Sequence, residues 1–541
     1  MDLKRLSKRT LVMAMLVPML SLSMSGKANA VETPVSNWDE LKSNVVAGNS
    51  VIFDGNITTS GVDAIYSKNT VPGAINLNSN VLDAQVNQGY ESYGIPHNSV
   101  FYFEGSAEGA KTLLTGGTIQ NAINSTLYWQ VYGSELEITN MNFLNNYVTG
   151  QYSNRYGQGG ALKLSNANKV TISDSVFTGN TVYDASNQSY GGAVESYVDN
   201  LVISDSTFNY NGIKDYDSAP QTTTKEGGAM MIASENSTLD NVTFTSNKST
   251  NSGGAIAYIP VYDINSTIKN SSFEGNETVD KGGAIYAERS EITSSANIGL
   301  TVENTNFTSN KATGANSKGG AIYASSDVNG LTITDSSFRN NAAKEGGAIY
   351  SESSSTTTIQ ANSTDVVFEN NNSTGAIDGT GSGIYLTGAL NAMASEGKTL
   401  TINDTIKFAG SNSMLNINTD FTNNYAGTVV LDKALDGGYG INLGGGATGD
   451  AGTLKLGQEA ANQTLNFLGA YGAALDLRND HAGDVLTINE LSANRVSTTN
   501  LNLDFDANSG ISDKLVINGL ESGVDSAKFI SYIFFKSIIF L

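Results

Sequence analysis

Two short motifs alternate along the middle of this chain, and they constrain its fold more than any other feature. The first is Gly-Gly-Ala followed by an apolar residue, at Gly159–Leu162, Gly191–Val194, Gly227–Met230, Gly253–Ile256, Gly282–Ile285, Gly319–Ile322 and Gly346–Ile349. The second is Phe-x-x-Asn, at Phe143/Asn146, Phe177/Asn180, Phe208/Asn211, Phe244/Asn247, Phe273/Asn276, Phe307/Asn310, Phe338/Asn341 and Phe368/Asn371. Successive Phe residues lie 34, 31, 36, 29, 34, 31 and 30 positions apart. A fixed period of this size marks a stacked repeat, in which each unit buries its apolar face against its neighbours. Within a unit, Leu331–Thr334 and Gly346–Tyr350 carry the two-residue alternation of a strand with one buried face. Between them, Asp335–Asn341 has turn chemistry around one large apolar residue. No segment shows a sustained helical period or a convincing N-cap before an amphipathic run. The expected fold is all-β, a parallel β-helix with one coil per repeat. Strands must keep register from coil to coil while loops vary in length. The uneven spacing therefore places Tyr183–Tyr190 and Asp215–Thr224 on the outside as loops.

In stacked coils each residue lies about 4.8 Å from its counterpart. Ile256, Ile285, Ile322 and Ile349 then form an internal column, and the Phe residues fill a corner of the core. Asn at the turn tolerates the left-handed conformation. Its amide can also bond the same Asn one coil along, as in an Asn ladder. The Gly pair permits a sharp bend or a close backbone approach. Gly282, Gly283, Ile285, Phe307, Asn310, Gly319, Gly320, Ile322, Phe338, Asn341, Gly346, Gly347 and Ile349 are thus assigned structural work. Alternation points Tyr286, Tyr323 and Tyr350 outward, with Tyr385 as an extension. An exposed Tyr column can anchor a partner. Alternatively these rings stack along the coils for stability or lie under a loop.

Residues 1–30 read as a secretory signal. Lys4, Arg5, Lys8 and Arg9 precede the apolar stretch Leu11–Leu20, and Ala28-Asn29-Ala30 offers a cleavage site. The stretch is shorter than the roughly 20 residues of a spanning helix. With 57 Gly, 6 Pro and 39% apolar residues, the remainder suits short strands and tight turns. There is no Cys, so burial and hydrogen bonding alone must stabilise an exported chain. The formal charge is −22; the first thirty residues hold five basic residues and Asp2, which leaves −26 beyond them. That charge opposes nucleic acid, anionic membranes and polyanionic sugars as partners.

The alternating GGA(I/L/V) and FxxN motifs resemble those of the polymorphic outer membrane proteins first defined in chlamydiae. The resemblance spans about Phe143 to Asn371. It implies a right-handed, pectin-lyase-like parallel β-helix passenger, displayed by an autotransporter mechanism and used for adhesion to host cells. On this reading residues 31–142 are N-terminal coils, 143–390 the repeat array and 391–523 a C-terminal passenger solenoid. In the last, Thr428–Leu431, Thr453–Leu456 and Val485–Ile488 are strand-like. Asp504–Asp506 followed by Ser512–Ile517 resembles the end of an autotransporter passenger. Residues 524–541 form an apolar tail that could give one membrane strand, whereas a barrel needs many. The translocator barrel is therefore expected to be missing from this chain, the tail to derive from truncation, and the product to be periplasmic if no partner barrel serves it.

Two function classes follow. The first is an exported, structural or adhesive surface protein that binds a host receptor or surface glycan, without enzymatic activity or cofactor. The second is a secreted polysaccharide lyase or glycosidase, which needs convergent groups such as a spaced carboxylate pair. The two His residues, His97 and His481, sit in turn-like settings, and Asp174, Asp205 and Asp335 recur at one repeat position, which reads as turn chemistry. The sequence shows no non-repeating cluster of acids and no catalytic or metal motif, so the adhesive class is preferred.

Overall fold

The computed structural model describes residues 31–535 except 89, 93–94, 98, 150–156, 185–187, 216–223, 261, 290–296, 372–381, 420–424, 445–451, 494–498, 507 and 522–528. The expected signal and the last residues of the tail lie outside that range. The chain winds into a solenoid of stacked coils. Among the described residues a wide sheet of 32 strands runs from Thr33 to Phe535, and a narrow sheet of 13 strands accompanies it from Ile65 to Gly437. Among the described strands all pairings are parallel except two, Phe505–Asp506 with Ile511–Ser512 and Tyr90–Ser92 with Ile95–His97. His97 thus lies in a short strand rather than a turn.

One coil shows the plan. Ile264–Lys269 enters the wide sheet, the chain bends at Asn270, and Ser272–Glu274 continues in the same sheet. A turn at Gly275 follows, then the Gly pair, and Ile285–Ala287 enters the narrow sheet. Inward side chains form unbroken columns. Leu162, Val194, Met230, Ile256, Ile285, Ile322, Ile349, Ile384 and Ile406 pair in register along the narrow sheet. The eight Phe rings from Phe143 to Phe368 stack at centroid separations of 4.5–5.0 Å. These columns join one continuous apolar core. Register along such a core is strongly fixed, since a one-residue slip would turn every apolar side chain to solvent.

The Asn ladder forms, with one correction to its conformation. Asn146, Asn180, Asn211, Asn247, Asn276, Asn310, Asn341 and Asn371 are buried. The Asn276 amide donates to Asn310 Oδ1 (2.9 Å) and to the Phe244 carbonyl (3.0 Å), and its backbone N–H also donates to Asn310 Oδ1 (3.1 Å). The left-handed residue is not this Asn but the one before it: Asn145, Gly179, Tyr210, Ser246, Gly275, Ser309, Asn340 and Asn370. The turn needs positive φ one step earlier, which frees the Asn side chain to point inward at the orphaned backbone groups. A second ladder accompanies it two residues before each Phe. Ser271 N–H donates to Thr305 Oγ1 (3.3 Å) and Thr305 N–H to Ser336 Oγ (3.0 Å). Asp174, Asp205 and Asp335 are left-handed turn residues, as their periodicity predicts.

The two glycines of each pair do different work. Gly253, Gly282, Gly319 and Gly346 have φ of 62–67°, and a Cβ on them would fall on the carbonyl oxygen of the apolar residue three positions on in their own coil. Gly283 has no room for a Cβ, which would fall on the Gly320 carbonyl oxygen of the next coil; Gly254 and Gly320 are likewise closed.

At the N-terminal end a helix that the sequence reading missed, Trp38–Val46, covers the first coil with Trp38, Leu41 and Val45. Its signal was present in Asn37 and Glu40: Asn37 Oδ1 accepts from Glu40 N–H (3.0 Å), and Glu40 Oε2 accepts from Ser36 N–H (2.9 Å). The strands at 428–431, 453–456 and 485–493 continue the wide sheet, and Phe529–Phe535 of the apolar tail pairs in parallel with Thr499–Phe505.

Candidate functional site

The outward face of the narrow sheet carries one continuous column of side chains. In register order it reads Tyr66, Tyr102, Tyr128, Lys163, Glu195, Met231, Ala257, Tyr286, Tyr323, Tyr350, Tyr385 and Lys407. The expected Tyr column therefore exists, but its exposure is corrected. Tyr286, Tyr323 and Tyr350 are only 8%, 0% and 5% accessible. Their rings stack face to face at 5.6 and 5.8 Å, and Tyr350 stacks on Tyr385 at 4.3 Å. Ring faces engaged with each other are not open to a partner.

Charged side chains close the column from the side. The Tyr286 hydroxyl donates to Glu288 (2.7 Å), which Lys281 also meets (2.9 Å). The pattern recurs one coil on, where the Tyr323 hydroxyl donates to Glu352 (3.0 Å), itself held by Lys318 (2.8 Å). Lys281 lies 4.6 Å from the Tyr323 ring centre and Lys318 4.6 Å from that of Tyr350. Burial pushes the Tyr350 hydroxyl up to about 12 against the pull of Lys318. Burial and nearby carboxylates push Tyr286 and Tyr323 higher still. These phenols stay neutral; those of Tyr286 and Tyr323 donate to carboxylates, whereas that of Tyr350 accepts from Lys318.

The column breaks at Lys163, Glu195, Met231 and Ala257. The segment from ladder Asn to Gly pair spans 13, 11 and 16 positions in the coils of Lys163, Glu195 and Met231, against 6, 6, 9 and 5 in the next four. The longer segments form arms. Tyr147–Thr149, Thr181–Asp184 and Gly212–Asp215 stack as one three-stranded sheet, and Gly157–Gln158, Gln188–Tyr190 and Thr224–Glu226 as another. Val148, Val182 and Ile213 form a small apolar core of their own within the arms. The described residues of the two stretches read from sequence as loops, Tyr183–Asp184, Gln188–Tyr190, Asp215 and Thr224, thus lie in regular strands, because three adjacent coils are all long there and supply one another's ladder partners.

At the arms' base the structure gathers a polar cluster that the sequence reading did not find. Lys163 and Glu195 are 7% and 1% accessible, and Lys163 Nζ lies 3.5 Å from Glu195 Oε2. Tyr197, on the same outward face as Glu195, hydrogen-bonds its carboxyl. Glu226 is also buried; desolvation, aided by the Glu288 charge, pushes its carboxyl up to about 8. Tyr197 feels the charges of both acids. Spacing alone could not reveal the cluster, because its members come from three coils and an arm. Only the substitution of the Tyr position by Lys163 and Glu195 marked it.

His481 stands in a turn with Nδ1 2.8 Å from Asp484, remote in sequence from this cluster. Among the described residues no group of three or more His, Cys, Asp or Glu is placed to hold a metal ion, and no helix is long and apolar enough to cross a membrane.

Comparison with known proteins gives one match. The sequence model of the Chlamydia polymorphic membrane protein repeat fits residues 241–257, 270–288, 304–325 and 335–352. No curated protein and no solved structure matches the chain. The matched segments run from the left-handed turn before a Phe-x-x-Asn motif into the strand after a Gly pair, which is the part of the coil where the ladders and the Gly contacts lie. The repeat implies an outer-membrane or surface protein of autotransporter type. Through these four segments of residues 241–352, then, the coils of this solenoid match the repeat of the Chlamydia polymorphic membrane proteins.

Proposed function

We propose that the chain is a non-catalytic, exported passenger that adheres to a host receptor or surface glycan through the arm-bearing side of its solenoid. The observation that carries this reading is the segregation of variable from invariant structure. Thirteen stacked strands of the narrow sheet give a rod of about 6 nm, and the arms all project beside three consecutive coils of it. A rigid rod holding adaptable segments at one place is how binding surfaces are presented on regular scaffolds. A partner barrel for its translocation, and the acidic surface as an obstacle to nucleic acid, belong to the same reading.

The test shortens the arms while keeping the coils. Residues 147–158, 181–190 and 212–226 are each replaced by a link of the Glu277–Lys281 kind. Beads coated with the purified protein are then scored for attachment to epithelial cells. Attachment lost with the coils intact by circular dichroism supports the reading, and undiminished attachment overturns it. A polysaccharide lyase or glycosidase is the competing class. Release of reducing ends from a panel of acidic and neutral glycans by the unaltered protein would replace the adhesive reading with that one.

A further inference from the structure

The Lys163–Glu195 pair is poorly built for an ion pair. Both side chains are almost fully enclosed. The ammonium has three donors, yet among the described residues its partners are the Glu195 carboxyl at 3.5 Å and the Tyr128 ring at 5.4 Å. Among the described residues Glu195 Oε2 is buried without a hydrogen-bond partner. A buried ion pair offsets its desolvation only when its geometry is good and the remaining lone pairs and protons are satisfied. Here neither holds. Burial lowers the Lys163 pKa and raises that of Glu195, so each group is driven toward its neutral form. A neutral amine beside a neutral carboxylic acid is the reactive combination for condensation.

Geometry favours the same step. Lys163 and Glu195 are direct register partners on adjacent strands, so their side chains rise from neighbouring points and lie side by side. Held reactants of this kind reach effective concentrations on the order of 10⁵ M or more. The Tyr197 hydroxyl, bonded to the Glu195 carboxyl, is placed to pass a proton to a departing oxygen.

We propose that Lys163 and Glu195 are joined by an intramolecular amide that pins two adjacent coils at the base of the arms. The lone pair of the neutral Lys163 amine attacks Glu195 Cδ. The Nζ–Cδ bond forms, a Cδ–O bond breaks, and the carboxyl hydroxyl leaves as water with one proton taken from Nζ. No oxidant or reductant is required. The product replaces an under-satisfied ammonium and carboxylate by one N–H and one carbonyl, which are easier to satisfy in a buried place.

Peptide mapping tests the proposal. Trypsin cuts after Arg155, Lys163, Lys169 and Lys214, and the stretch 170–214 contains no other Lys or Arg before Lys214. In the cross-linked protein Lys163 resists cleavage. Segment 156–169 then travels with segment 170–214 as one species, lighter than their sum by one water. In Lys163→Met the two segments separate. Recovery of 156–163 and 164–169 from the fully folded, unaltered protein, with 170–214 at its plain mass, overturns the proposal.

Discussion

At the residue scale, one hydrogen-bonding position does the most to hold the coils in line. Each ladder Asn satisfies three groups at once: its own amide, the backbone N–H of the Asn before it and a Phe carbonyl. Asn310→Leu keeps the volume but strands the backbone N–H of Asn276 and the Phe273 carbonyl. Its expected cost is about 2–4 kcal/mol, read as a fall in the urea midpoint. The ladder ends at Asp404, whose carboxylate accepts from Asn371 N–H (3.1 Å) and Nδ2 (2.6 Å). Burial raises the Asp404 carboxyl to about 6. A raised folded-state value means the stabilising contribution is complete below the unfolded value of 3.8 and lost as pH climbs through 6. Asp404→Asn, which restores the ladder residue, should gain about 2 kcal/mol over the parent at pH 8 and nothing at pH 3.5. Equal gains at both pH values would show that the effect is not titration.

Buried aromatic residues belong to the same scale. Tyr323 is fully enclosed and stacked on both sides. Tyr323→Ala should therefore lower stability by about 3 kcal/mol, measured by denaturant unfolding. Loss of adhesion with unchanged stability would return the Tyr column to the role of an exposed anchor.

At the element scale, each coil of the Gly-pair repeat is two limbs of the wide sheet and one strand of the narrow sheet, joined by turns whose chemistry repeats. The Gly pair shows how finely the turn is specified. Gly282→Ala imposes a strained φ of 67° and sets a Cβ against the Ile285 carbonyl of its own coil, so it should cost about 2 kcal/mol. Gly283→Ala drives a Cβ into the backbone of the next coil, which cannot move without breaking its own ladder. It should destabilise more than Gly282→Ala, because the clash separates two coils, or abolish soluble expression. Comparing the thermal midpoints of the two single variants checks the ranking. The motif was legible in the sequence as a bend or a close approach; the structure gives the first glycine the bend together with a contact inside its own coil, and the second the contact between coils. The helix Trp38–Val46 was legible only in its cap, Asn37 and Glu40, because nine residues are too few for a clear period. Its existence depends on Trp38, Leu41 and Val45 meeting an open coil face.

At the scale of the whole molecule, stability passes from coil to coil, since each contacts only its neighbours. The ends are then the weak points, and the N-terminal helix closes one of them. Trp38→Ala removes the largest apolar group of that cover. We expect amide exchange to quicken in the first coils, through Val51–Phe53 and Ala74–Asn76, while the coils around Phe273 keep their protection. Uniform acceleration along the rod would contradict such nearest-neighbour behaviour.

The sequence by itself determined the architecture of this protein. Its repeat period, two-residue alternation and paired glycines admit a stack of parallel coils and little else, because identical coils must bury identical faces against each other. From that stack the Ile column, the Phe stack and the Asn ladder followed at named positions. What only the tertiary structure decided lies where coils stop being identical. Whether an outward Tyr is open depends on what closes over it, here Lys281, Glu288, Lys318 and Glu352. Whether long connections are loops depends on their neighbours being equally long. The meeting of Lys163, Glu195, Tyr197 and Glu226 depends on three coils and an arm arriving at one point. Periodicity speaks for residues that repeat; contacts among residues that do not repeat are set by packing.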